Sequence, residues 1–179
     1  RIDAFRAAQP AEAERTPSPT RDAKRLSVSV RKRPLLPFER DAGEFDVLTC
    51  RPAASECVLH QTRKRVDQER VLENHKFCFD ALFDEDITTR QLYERSARPL
   101  VASVFAGGRA TCFAFGPTGS GKTHTMQGSG SGDASDGDGV GIYGLAASDL
   151  FRALDAANAQ GASLRLAVSM FEIYRDQCF

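Results

Sequence analysis

The sequence predicts an α/β fold: a mostly parallel central sheet flanked by helices, with a small antiparallel finger set into its first half. Three observations predict it. Apolar strand-like runs alternate with segments of helical period, as a parallel sheet with crossover helices requires. One such run, Thr111 to Phe115, feeds Gly116-Pro117-Thr118-Gly119-Ser120-Gly121-Lys122-Thr123, a complete G-x-x-x-x-G-K-[ST] loop. From Phe45 to Val71, short β-like pieces alternate with polar, basic turns, which reads as the finger.

In chain order, residues 1–24 mix Ala, Pro, Arg and Glu without a sustained period, and Arg15-Thr16-Pro17-Ser18-Pro19-Thr20 resists both helix and strand. They predict a disordered or loosely helical lead-in. The domain proper is expected over 25–179. Leu26-Ser27-Val28-Ser29-Val30 alternates strictly and predicts a strand, ended by Arg31-Lys32-Arg33-Pro34. Phe77-Cys78-Phe79 reads as a further apolar strand core. Thr88 or Thr89 then caps a helix whose stripe runs through Leu92, Ala97, Leu100, Val101, Val104 and Phe105. Pro99 should kink that helix, and Gly107-Gly108 should stop it. A second helix opens at Lys122 and breaks at the glycine- and aspartate-rich tract beginning at Gly128. Helix resumes over Leu145 to Ala159, and Leu164 to Tyr174 reads as a last strand.

The loop carries the chemistry. A polyphosphate is dense negative charge, and a glycine turn opening a helix offers backbone N–H groups and the positive end of the helix dipole. Gly116, Gly119 and Gly121 let the backbone lie close to phosphate oxygens. Lys122 adds a mobile charge, and the Thr123 hydroxyl suits a Mg²⁺ ion. The fold expected is therefore of the P-loop NTPase type, with a nucleotide and Mg²⁺ as the ligands.

Bulk properties exclude other classes. Twenty-four basic and 24 acidic residues give zero formal charge, so no whole-chain field suggests nucleic acid or an anionic membrane. No apolar run approaches the ~20 residues that span a bilayer. Five cysteines without a C-x-x-C pair suggest reduced thiols, and the spacing of Cys50, Cys57 and His60 fits no common zinc pattern. The chain opens at Arg1 and closes at Phe179 inside a strand-like run, which reads as part of a longer protein or an incomplete gene product.

Taken in order, four strings resemble the kinesin motor domain, over Arg25 to Phe179: Val30-Arg31-Lys32-Arg33-Pro34; Thr111 to Met126; Gly141-Ile142-Tyr143; and Phe171-Glu172-Ile173-Tyr174. That span corresponds to roughly the first half of such a domain. Leu72-Glu73-Asn74, Phe77-Cys78-Phe79-Asp80 and Ala97-Arg98-Pro99-Leu100-Val101 are further similar to the internal-motor, microtubule-depolymerising subfamily.

The resemblance implies that the nucleotide is ATP and that Gly116, Pro117, Thr118, Gly119, Ser120, Gly121, Lys122 and Thr123 bind its phosphates, with Thr123 on Mg²⁺. It implies that Arg31 and Pro34 flank the adenine, with His124 on its other face. Pro117 stands where the family has glutamine. The subfamily's K-V-D finger tripeptide aligns with Arg65-Val66-Asp67, implying a tubulin contact, and the implied location is the cytoplasmic microtubule cytoskeleton. The family's N-x-x-S-S-R-S-H and D-L-A-G-S-E strings do not occur. This polypeptide alone is therefore expected to lack motor-like ATP hydrolysis, which would belong to the parent protein. A non-catalytic, kinesin-like tubulin-binding module and another kind of P-loop NTPase are the alternative readings.

Overall fold

Strand β1 (Ser29–Arg31) lies parallel to β5 (Ala81–Phe83), with Ser29 opposite Ala81, Val30 opposite Leu82 and Arg31 opposite Phe83. Lys32 N–H extends the ladder to Phe83 O at 2.8 Å. The structure is a computed structural model that describes residues 1–8, 26–66, 68–130, 139–175 and 177–178. It divides into two units: Arg1–Leu92 with Gly116–Gly121, and Tyr93–Phe115 with Lys122–Phe179.

In the first unit, the finger is a three-stranded antiparallel sheet of β2 (Leu48–Arg51), β3 (Glu56–Lys64) and β4 (Arg70–Cys78), in the order β2-β3-β4. A 3₁₀ turn over Pro52–Ala54 links the first two. The β3–β4 hairpin runs from Glu56 opposite Cys78 to Lys64 opposite Arg70, and Arg65 N–H closes its tip on Glu69 O at 2.9 Å. Cys57, Val58, Leu82, Phe83 and Leu92 are the buried apolar residues of this unit, and Thr89 and His60 are buried polar ones.

Phe77 and Cys78 belong to this hairpin and are exposed, which corrects the expectation of a buried strand core there. His60 has both ring nitrogens engaged, Nε2 with Thr49 Oγ1 and Nδ1 with Asn74 Oδ1, each at 2.7 Å. Cys50 and Cys57 face each other across β2 and β3, and burial pushes the Cys50 thiol up to about 12. Among the described residues no group of His, Cys, Asp or Glu could hold a metal ion.

The helix expected from Thr88 onward forms in two pieces. Thr88 Oγ1 accepts the Gln91 N–H at 3.2 Å, and Gln91 Oε1 accepts the Thr88 N–H at 3.0 Å, a reciprocal capping box opening α3 (Thr89–Ser96). The chain breaks at Ala97 and restarts as α4 (Arg98–Phe105), where Pro99 sits in the first turn and its missing N–H goes unneeded. Gly107 and Gly108 end α4 by donating to Val104 O and Ser103 O. In this second unit, Asp149 of α6 (Ile142–Ala159) accepts from Tyr93 Oη at 2.9 Å and pairs with Arg98 and Arg152.

Helix α5 (Lys122–Gln127) ends where Gly141 N–H donates to Gln127 O at 3.2 Å. A Cβ on Gly141 would lie 2.3 Å from the Gln127 carbonyl carbon, so only glycine allows the start of α6 to touch the end of α5. Residues 131–138 of the glycine-rich tract, like 9–25 of the lead-in, lie outside the described residues.

Two expected strands do not form ladders. Residues 111–115 are without strand structure, with Phe113 and Phe115 well exposed, and Cys112 is exposed too. Residues 162–172 are likewise without strand structure, although Asn158 bonds both backbone groups of Leu164, and the pairing that follows is a short hairpin of β6 (Ile173–Tyr174) with β7 (Gln177–Cys178). A strand's backbone groups must bond to neighbouring strands, and none of the described residues supplies them.

A charge cluster at the base of the finger sets a pH window for the first unit. The Lys32 ammonium lies 2.7 Å from Asp46 and 2.9 Å from Glu85. Burial works to lower the Lys32 pKa, but hydrogen bonds to Asp46 and Glu85 outweigh it and hold it raised. Burial likewise works to raise Asp46, and hydrogen bonds from Lys32 and the Leu48 N–H, with the Lys32 and Arg6 charges, hold it lowered. The Asp46 contribution is thus complete above the ordinary carboxylate value of ~3.9 and is lost as pH falls through its lower folded value. The Lys32 contribution is complete below ~10.4 and is lost as pH rises past its raised folded value. Urea midpoints measured against pH should show an acid limb that Asp46→Asn flattens. An unchanged limb in that variant would mean the cluster contributes nothing.

Candidate nucleotide site

The loop's own backbone shows why glycines occupy it. Gly119 and Gly121 have φ of +80° and +91°, a region costly for residues with a Cβ. At Gly116 a Cβ would sit 2.6 Å from Ser120 Oγ, and Ser120 N–H donates to Pro117 O at 3.3 Å. This is a tight turn that crowds a Cβ at Gly116 and leaves open space at Gly119. Pro117 is compatible with it, since the Pro117 carbonyl is the group the turn uses.

The next residue, Lys122, is the first of α5 and is half-buried; Thr123 and His124 follow and are exposed. The residues expected to meet phosphate are thus consecutive in the chain, with Gly116–Gly121 assigned to one unit and Lys122 onward to the other.

Within the R-x-R-P segment the two arginines make different contacts. Arg31 donates to Thr89 Oγ1 at 3.0 Å and to Ile87 O at 3.1 Å, fastening β1 to the start of α3. Pro34 is exposed. The arginine beside the loop is Arg33, whose Cδ lies 3.8 Å from the position a Cβ on Gly121 would take. Arg33 grips Glu39 of α2 (Pro37–Asp41) through both guanidinium nitrogens, at 3.0 and 2.5 Å, and Glu39 also accepts the Leu36 N–H at 2.7 Å. The hydrogen bond to Glu39 raises the Arg33 pKa. The sequence carried only a faint signal for this role: a glutamate three residues after Leu36, at the start of a helix opened by Pro37.

At the finger tip Arg63, Lys64, Arg65 and Val66 are all exposed, and Val66 is wholly so. Arg63 pairs with Glu73 at 3.3 Å. Asp67 lies outside the described residues.

A parallel strand pair, an antiparallel finger and a complete G-x-x-x-x-G-K-[ST] loop opening a helix define an α/β protein of the P-loop class. A family model of the kinesin motor domain matches residues 31–179. The chain is also similar to a solved fast kinesin, described for its ATPase mechanism and its interactions with microtubules, at 25% identity and a TM-score of 0.60. The match covers 73% of this chain and 33% of that one, so the chain spans about a third of that kinesin's length. The chain belongs to the kinesin motor domain family.

Proposed function

We propose that this chain is the ATP-binding part of a microtubule motor, and that the longer protein couples ATP hydrolysis to microtubule depolymerisation in the cytoplasm. The observation that carries the reading is the loop from Gly116 to Gly121, with left-handed backbone angles at Gly119 and Gly121, ending where Lys122 opens a helix. A Cβ would crowd this turn at Gly116, and a phosphate-facing backbone is what such crowding forbids.

Bound Mg²⁺–ATP supplies the phosphoryl group whose transfer to water drives a motor cycle. The chain's own residues have simpler tasks. Gly116 to Gly121 present backbone N–H groups to the phosphates, Lys122 neutralises their outer charge, and Thr123 offers a hydroxyl to the metal. Arg31 and Pro34, with His124, flank the base. Arg33, held by Glu39, fixes the path of the chain beside the loop.

Depolymerisation is the finer part of the proposal and rests on the finger. Its tip is a stiff two-stranded ribbon that ends in exposed cations and an exposed valine, suited to an acidic protein surface with apolar pockets. Changing Arg65, Val66 and Asp67 together to Ala in the longer protein should reduce microtubule disassembly by about tenfold. Nucleotide affinity of the same variant serves as the folding control. Undiminished disassembly would remove the finger, and with it the depolymerase reading.

A further inference from the structure

Strand β2 is an edge of the finger sheet among the described residues, and an arginine from a helix at the start of the chain reaches its outer carbonyls. His60 N–H donates to Val47 O, so Val47 and Thr49 turn their backbone toward β3 while the carbonyls of Asp46 and Leu48 turn outward. Arg6 of α1 (Ile2–Ala7) meets those outward groups. Its Nη2 donates to Asp46 O at 3.2 Å, Leu48 O at 3.1 Å and Asp46 Oδ2 at 2.8 Å, and its Nε donates to Thr49 Oγ1 at 3.1 Å.

Beneath it the polarity runs in one direction. Thr49 Oγ1, already an acceptor from Arg6, donates to His60 Nε2, and His60 Nδ1–H donates to Asn74 Oδ1. Phe5 packs edge-on against His60 with ring centroids 5.0 Å apart, and the Arg51 guanidinium lies 5.9 Å from the Phe5 ring centre. Arg1 adds a bond to Arg70 O across the hairpin at 2.8 Å.

We propose that this edge of the finger sheet is a docking surface for an arginine-bearing helix, and that residues Arg1–Ala8 occupy it in cis as a strap bracing the finger. An unpaired strand edge normally recruits another strand; here a fork of guanidinium donors takes the place of the missing ladder. The strap is separable by nature. A six-residue helix has no stability of its own in water, so its order comes entirely from this contact.

Hydrogen exchange on the full chain tests the strap. The Phe5 and Ala8 amides, bonded to Arg1 O and Ala4 O, should exchange at least about tenfold more slowly than an unstructured peptide, since only a docked helix protects them. Arg6→Ala should return both to unstructured rates and speed exchange at His60 by about tenfold, while Lys32, bonded to Phe83 O, stays as in wild type. Arg6→Lys should recover part of the protection, because one ammonium reaches Asp46 but cannot bridge two carbonyls and a hydroxyl. Unstructured rates at Phe5 and Ala8 in the wild type, or protection unaffected by Arg6→Ala, would overturn the proposal. The wild-type measurement decides even if a variant fails to fold.

Discussion

Replacing Lys122 with Ala in the longer protein should lower ATP turnover by about 10²–10³-fold, the usual cost of deleting one charged group that stabilises a reacting centre. The substitution is structurally mild. Lys122 is the first residue of α5, and alanine is the best helix former, so the helix should persist with an unchanged far-ultraviolet spectrum. The turn from Gly116 to Gly121 owes its shape to its glycines and to the Ser120 to Pro117 bond, neither of which involves the lysine side chain. Lys122→Arg is the sharper companion. It keeps the charge but replaces a compact ammonium with a planar fork, and should remain strongly impaired. Steady-state phosphate release measured beside nucleotide binding separates the two effects. Wild-type turnover in Lys122→Ala would place the phosphate contact elsewhere.

The features legible in the sequence are those whose cause is local. The helix cap needs only the Thr88 side chain at the start of α3, and the disturbance of the helix needs only Pro99. The finger was readable because its alternation and basic turns lie within one short stretch, and the loop because its spacing is itself the chemistry. What the sequence hid depends on residues far apart. Arg6 carries no periodic signal and acts on Asp46, Leu48 and Thr49, about forty positions on. Arg33 gains its place beside Gly121 only through the fold. The runs at 111–115 and 164–172 show the opposite error. Their apolar residues tell where side chains could be buried but not which strands would pair with them, and here Val168 and Met170 are well exposed. Family membership was legible because four short strings had to occur in order, a demand that no single motif makes.

Truncating Phe83 to Ala should cost the first unit about 3–5 kcal/mol, against total domain stabilities of ~5–15 kcal/mol. Phe83 is 1% exposed and ends β5 between two wholly buried neighbours in the core, Leu82 and Val58. Its backbone does separate work, since Phe83 O accepts the Lys32 N–H and Phe83 pairs in register with Arg31. A cavity there would therefore loosen the strand that aims Arg31 at Thr89 and carries Arg33 toward the loop. The control is Phe38→Ala, because Phe38 is 66% exposed on α2 and should shift stability by less than about 0.5 kcal/mol. Urea unfolding of both variants, compared at unchanged slope, gives the difference directly. Equal midpoints would mean that β5 is not the core of this unit. The parallel pair would then have no claim to position the segment from Arg31 to Pro34.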